Sequence, residues 1–458
     1  MEITNDSVSQ TTLNNFEAPN DSIIDWIIGS VTDVDADADA TTSTAPRIPK
    51  VPGTVREKHD YETYYVPKVV SIGPYHFGEP KLQLIEKRKP VIAMKLFSNK
   101  EAILSLYETL SEPELVKELR SFYEENSTTE YSDKVFIKMM LLDACFILYF
   151  INFLYLGGAE DYSELKSNEI FFVRRDLYLL ENQIPFKVLM KLTGDGLLDY
   201  IKPFIVFSSF VISSSTEESG DEDDREPNHL LDALHGKHSM IVKAPTLTFD
   251  PIKFSGCNFR NVSELADVGI HFKPIKDTLS MTHIEFVKGW WRFSADVKLP
   301  RIAVSDYTRP MLLNLMAYET CRCSINDSWV TSYVYLLNSL VDDAEDVKVL
   351  RKAWVLDNYL ASDKEVVELF DEIGTDLVPS SFAYIEAKYK MQRHYDSWSN
   401  TLFSQLKNEY FKSPWAIFAL LGALIALFLT GVQTYYTIWS PESKCDDLCQ
   451  FLKMNHHL

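Results

Sequence analysis

The sequence predicts a mainly α-helical protein with a small antiparallel β element: a large helical soluble body plus one C-terminal transmembrane helix. Three observations carry that prediction. Apolar residues recur at three- and four-residue steps through most of residues 47–412. Short alternating runs bounded by turn residues cluster between about 269 and 302. Twenty-nine consecutive residues, Ser413 to Pro441, carry no charge. With 46% apolar and 13% aromatic residues, the 458-residue chain can bury a large core and is not disordered as a whole.

Taken in order, residues 1–46 hold nine acids and no Lys or Arg, and read as an acidic disordered arm. Arg47–Pro52 (RIPKVP) is an extended lead-in, because each residue before a proline is pushed out of the helical region. Tyr65–His76 (YVPKVVSIGPYH) reads as a short strand closed by a Gly-Pro turn at Gly73. From about Lys81 to Lys191 the period is helical. Ser111–Glu114 has the form of a capping box, with Leu115, Leu119 and Phe122 on one face behind it. Phe136, Met139, Met140, Phe146, Ile147 and Phe150 mark a strongly buried helix, and Asp176–Phe186 (DLYLLENQIPF) a further one that Pro185 kinks or ends. Residues 213–227 carry seven acids and one Arg and form an acidic loop.

Beyond that loop, Gly269–Ile275, His283–Val287, Trp290–Phe293 and Leu299–Ile302 look like small antiparallel strands, with Lys288-Gly289 as a tight turn. Helices resume near Arg309, over Thr331–Val341 and after a capping box at Ser362–Glu365. A last amphipathic stripe, Phe382, Ile385, Tyr389, Tyr395, Trp398, Leu402, Leu406 and Tyr410, points to one nearly continuous helix into the span, with Pro414 at the boundary. The domains expected are therefore 1–46, a helical domain over 47–412, a transmembrane helix over 413–440 and a tail over 441–458.

The span itself is apolar on every face. Twenty-one helical residues from Trp415 to Tyr435 cover about 31 Å, close to the hydrocarbon thickness of a bilayer, and Trp415, Tyr435, Tyr436 and Trp439 form an aromatic belt. The bilayer is thus one expected partner, through Trp415 to Tyr436. The N-terminal residues lack the basic and apolar regions of a signal peptide, so the large region is expected in the cytosol, with the tail outside. The net charge is −21, of which −15 lies in the arm and the acidic loop. No basic stripe exists to meet phosphates, which excludes nucleic acid as an expected partner.

Candidate chemistry is sparse. Gly-x-Ser-x-Gly, the P-loop, Gly-x-Gly-x-x-Gly and His-Glu-x-x-His are all missing from the sequence, and only 16 glycines serve the chain. His229, His235 and His238, with Asp232 between them, have the residue types of a metal site. Gly236, however, is expected to end that helix and splay His238 away, leaving exposed histidines beside a loop. In the tail, Cys445 and Cys449 before His456 and His457 have the types of a zinc knuckle. Pairing or acylation of the two thiols suits so short a segment better. Ser71–His76 together with Glu86-Lys87-Arg88-Lys89 could be imagined as an active site, and the Glu181-Asn182-Gln183 cluster inside an apolar run poses the same choice. A structural role, satisfying buried backbone groups, is the simpler reading. No catalytic, metal or cofactor-binding residue is assigned.

Together, Tyr65–His76, Met139–Ile147 (MMLLDACFI), Asp176–Phe186 and Tyr410–Trp415 (YFKSPW) closely resemble the plant "domain of unknown function 247" family. His229–Asp232, Leu265–Ile270 and Thr331–Val334 fit its later blocks, and the resemblance runs in order from about Arg47 to Tyr436. Ala144 stands where the family often has Gly, and Tyr178 where it often has Leu. The resemblance implies a plasma-membrane protein with one C-terminal span and no catalytic residues to carry over. It also implies, for some grass members, a role as pollen-side determinants of self-incompatibility. The function expected is membrane-anchored recognition or signalling through an unknown protein partner. The alternative is a hydrolase or transferase with its site around His76, Glu86 and Glu181.

Overall fold

The computed structural model describes residues 46–58, 60–97, 99–155, 165–213, 225–240, 260–276, 278–289, 294–322, 328–374, 378–380, 383–397, 414–439 and 444–454. The acidic arm, most of the acidic loop, the Trp290–Phe293 run and the His456-His457 pair lie outside them. The chain divides into two compact units, Met1–Pro46 and Arg47–Leu458, and every described helix and strand belongs to the second.

The first half of this unit is built on helices α1 (Lys89–Phe97), α2 (Lys100–Leu110), α3 (Pro113–Arg120), α4 (Asp133–Tyr155), α5 (Ser167–Asp176), α6 (Phe186–Thr193) and α7 (Leu197–Ser208). Helix α4 is its axis. Its 23 residues are apolar on nearly all faces because α1, α2, α6 and α7 all pack against it. Phe136, Met140, Phe146 and Phe150 are buried as the periodicity requires. Edge-to-face contacts of Tyr123 with Phe136 and of Phe150 with Phe204, both at 6.3 Å, join its two ends to neighbouring elements.

The second half adds α8 (Leu230–Ser239), α9 (Val262–Asp267), α10 (Thr308–Cys321), α11 (Trp329–Leu340), α12 (Ala344–Lys352), α13 (Asp363–Ile373) and α14 (Ile385–Tyr395). Strands β1 (Ile270–Ile275), β2 (Glu285–Lys288) and β3 (Ala295–Pro300) form one sheet in the order β1-β3-β2. Strands β4 (Ile302–Val304) and β5 (Leu356–Asn358) form another. The β element is small, as expected, but it is mixed. β2 and β3 are antiparallel, whereas β1 runs parallel to β3, from Ile270 opposite Ala295 to Ile275 opposite Pro300. β4 and β5 are parallel too. The chain crosses β3 before turning back, so the buried β3 is central and Pro274 falls on an edge strand, where its missing N–H is tolerated. Lys288 is the last residue of β2, opposite Ala295, and Gly289 N–H donates to Ser294 O at 2.9 Å, while residues 290–293 lie outside the described residues.

Three local expectations change or are settled by side-chain geometry. Ser111 does not cap α3: its hydroxyl donates back to Tyr107 O and ends α2, while Pro113 holds Glu112 extended at the N-cap. The Ser362 cap of α13 does form, with Glu365 N–H donating to Ser362 Oγ at 3.3 Å. Asp176–Phe186 is not one helix: Asp176 ends α5, Phe186 begins α6, and residues 177–185 between them are turns and irregular chain.

Helix α15 (Pro414–Ile438) comes after residues 398–413, which lie outside the described residues and hold the rest of the last amphipathic stripe. α14 itself stops at Tyr395. α15 and α4 are the described helices long and apolar enough to cross a membrane, yet 78% of α4's apolar window is buried against 0% of α15's. Helix α16 (Lys444–Met454) carries Cys445 and Cys449 one turn apart.

Candidate functional site: a buried polar hub

Tyr65–His76 belongs to no sheet. It is an extended thread through the core, and side chains take the place of a partner strand. Asp176 Oδ2 accepts from the N–H groups of Lys68, Val69 and Val70 at 2.9, 2.8 and 3.2 Å. Asn182 Oδ1 accepts from Ile72 N–H at 2.7 Å and Asn182 Nδ2 donates to Val70 O at 3.1 Å. Asp143 Oδ2 accepts from Gly73 N–H at 2.7 Å, and Lys89 Nζ donates to Ser71 O at 2.6 Å. Backbone groups buried away from water must find partners, and here four side chains supply them.

The same side chains explain why Asp176–Phe186 does not coil. Asn182 Nδ2 donates to Asp176 O, and Gln183 Nε2 to Leu177 O and Leu179 O, so amide side chains occupy carbonyls that helical N–H groups would claim. Leu180 N–H goes instead to Asn314 Oδ1 on α10, and Gln183 Oε1 accepts from Leu231 N–H on α8. The polar residues in this apolar run thus tie the two halves of the unit together.

Charge is concentrated in two places. Lys89 is fully buried, contacts Glu86, and meets Asp143 Oδ1 at 2.5 Å. Burial pushes the Asp143 carboxyl up, against the pull of Lys89 and Gly73 N–H. Burial likewise brings Asp176 up to about 6, against its three backbone donors and Arg175. Glu181 belongs to the other place: it accepts from Val51 N–H at 2.7 Å and from Arg56 Nη2 at 2.6 Å, with His76 Nε2 4.0 Å away. His76 Nδ1 pairs with Glu79 at 2.6 Å, and its buried Nε2 has no hydrogen-bond partner. Of the three residues His76, Glu86 and Glu181, the first and last therefore meet. Glu86 turns to Lys89 and Asp143.

The histidines of α8 are buried, not exposed, because the helix runs through Gly236 to Ser239 and keeps His238 on the core face. His229 Nδ1 accepts from Asp232 N–H and its Nε2 faces Arg47 O at 3.1 Å. His238 Nδ1 faces Leu279 O at 3.0 Å. His235 Nε2 lies 2.9 Å from Glu319, which also accepts from Val330 and Thr331 N–H and so caps α11 from a neighbouring helix. Burial holds His229 and His238 down at about 4. Among the described residues no group of three or more His, Cys, Asp or Glu is placed to hold a metal ion. Asp143 and Asp176 received no role from the sequence, and Lys89 only as part of the Glu86–Lys89 charge run. For Asp143 the available signal was a lone charge inside an apolar run.

Asp143, Asp176, Glu181, Asn182 and the thread they hold lie on the segments that carry the resemblance, whereas Lys89 and Arg56 lie outside them. A profile described as "plant protein of unknown function", that of the domain of unknown function 247, matches residues 48–429. The chain belongs to this family. Two curated relatives come from Arabidopsis thaliana. UPF0481 protein At3g47200 is 26% identical over 405 residues, covering 82% of this chain and 83% of the relative. Putative UPF0481 protein At3g02645 is 23% identical over 475 residues, covering 82% and 87%. No solved structure matches significantly. In this member of the domain of unknown function 247 family, the segments Tyr65–His76, Met139–Ile147 and Asp176–Phe186 interlock as thread, axis and clasp.

Proposed function

We propose that this protein is tethered to a membrane by α15 and acts by recognising a protein partner. The observation that carries the tether is that a 25-residue apolar helix has none of its apolar window buried. A bare helix about 37 Å long is unstable in water and is satisfied in hydrocarbon. Recognition is supported by the hub: most of its carboxylate and amide atoms are engaged by backbone groups, Lys89 and Arg56, with Asp176 Oδ1 left without a hydrogen-bond partner, so function falls to the surface. We place the protein in the plasma membrane with the large region cytosolic. A pollen self-incompatibility role is a narrower form of the same reading and requires pollen-restricted expression.

The hydrolase or transferase reading draws on one observation, the unpartnered Nε2 of His76 beside Glu181. Glu181 is already engaged by Val51 and Arg56, and Glu86 stands in another cluster, so the recognition reading is preferred.

The test is fractionation without detergent of full-length protein and of a chain lacking 413–440. Full-length protein should pellet with membranes and the deletion should not; a soluble full-length chain refutes the tether. Proximity labelling from the large region should return protein partners, and protease protection of the tail reads its side of the membrane.

A further inference from the structure

We propose that the cleft between α12 and β5 docks an acidic peptide segment of a protein partner, gripped by Arg301, Lys348, Arg351 and Lys352 and stacked on Trp354 and Tyr359. The inference names the partner class of the recognition reading and rests on that reading, but not on the membrane tether.

The end of α12 is the first argument. Val355 N–H donates to Leu350 O and Trp354 N–H to Arg351 O, both at 3.0 Å, which makes a Schellman motif with Trp354 at the left-handed position, φ +59. Glycine is the usual residue there because a side chain is strained at positive φ. Tryptophan takes that strain and gains little burial in return, being 65% exposed. Its ring takes the Arg301 guanidinium at 5.7 Å from the centroid and leaves most of its surface open to the cleft, so the strained position presents an aromatic–cation pair to solvent.

Charge is the second argument. The cleft, about 650 Å³, is lined by those four cations against Asp357 and Asp363, in a chain of net charge −21. Lys348, Arg351 and Lys352 share one helix face by their spacing. Arg351 gives a single nitrogen, Nη1, to both oxygens of Asp363 at 2.8 and 2.7 Å, and Arg301 gives Nη2 to Asp357 at 2.7 Å. The buried Nε of Arg301 has no hydrogen-bond partner. Lys348 Nζ pairs with Glu345 at 3.0 Å, and the Arg301–Asp357 pair is half-buried. Carboxylates already sit on these cations while donors remain, and the exposed Lys348 and Arg351 pairs exchange partners at little cost.

The layout decides the class of ligand. A lone phosphate wants convergent donors; here the cations are spread along a helix face and flanked by Trp354 and by Tyr359, 69% exposed. Exposed Trp, Tyr and Arg side by side are the residues that dominate protein–protein hot spots. An extended, carboxylate-rich peptide matches both the spread and the stacking surfaces.

Full-length protein in detergent micelles is titrated with a fluorescein-labelled peptide of alternating Glu and Asp carrying one Tyr. A Lys-Ser peptide of equal length and inorganic phosphate are the controls. The acidic peptide should bind, more weakly as salt rises, and Lys352→Glu should weaken it by about tenfold or more. Trp354→Gly should weaken it by about as much while raising the melting temperature, since the backbone strain is released. Unchanged binding in either variant, displacement by phosphate as effective as by unlabelled peptide, or a lower melting temperature for Trp354→Gly overturns the inference. Loss of the docking site alone leaves partners detectable by proximity labelling; failure of the recognition reading removes them.

Discussion

At Gly73 the backbone turns with φ +78, and a Cβ there would lie 2.4 Å from Gln183 O, inside the thread's tightest contact. The neighbouring Asp143 accepts the Gly73 N–H, so the chain cannot shift without breaking a buried bond. Gly73→Ala should therefore cost on the order of 3 kcal/mol or more, read as a lower midpoint in chemical denaturation. The histidines of α8 give a pH dependence. His229 and His238 titrate near 4 when folded, below the ordinary 6.5, because burial disfavours their charged forms. The unfolded chain then binds more protons between those values, so their contribution is full above pH 6.5 and is lost as pH falls toward 4. Each costs about 2 kcal/mol between pH 7 and 5. His238→Gln should shrink the loss of stability over that interval by about that amount relative to the parent. The raised Asp176 works in the opposite sense in both proteins and cancels in the comparison.

Among elements, sequence and structure part where side chains compete with backbone. Ser362 and Ser111 stand in like patterns, three residues before a Glu, yet Ser362 accepts from Glu365 N–H while Ser111 donates to Tyr107 O. Pro113 decides the second case by fixing Glu112 at the N-cap. Ser362→Ala should cost about 1 kcal/mol and Ser111→Ala distinctly less, by thermal melts of the two variants. Asp176–Phe186 was legible as an apolar run with Pro185 near its end. That Asn182 and Gln183 would take its carbonyls was not, since the partners of their other atoms come from α8 and the Tyr65–His76 thread. Periodicity sees spacing along the chain; it does not see what stands across a gap of a hundred residues.

For the whole molecule the decisive contrast is between two helices of similar apolarity, α4 inside the body and α15 with no burial. The body should consequently keep its melting temperature when 413–440 is deleted and, on the tether proposed above, should no longer pellet with membranes, a pair of outcomes checked on one sample by calorimetry and fractionation. Much of this was readable beforehand. Long apolar periods determined the helical class, the buried face of α4 and the lipid-length run, because hydrophobic patterning acts locally and survives in the order of residues. The family segments were readable too, though only as strings. What those strings do was set by tertiary structure: Asp143, Asp176 and Asn182 meet Tyr65–His76, the α8 histidines turn inward, and β1 lies parallel to β3. Such pairings join residues far apart in the chain, and their energies depend on desolvation and hydrogen-bond satisfaction, which exist only once the core has closed.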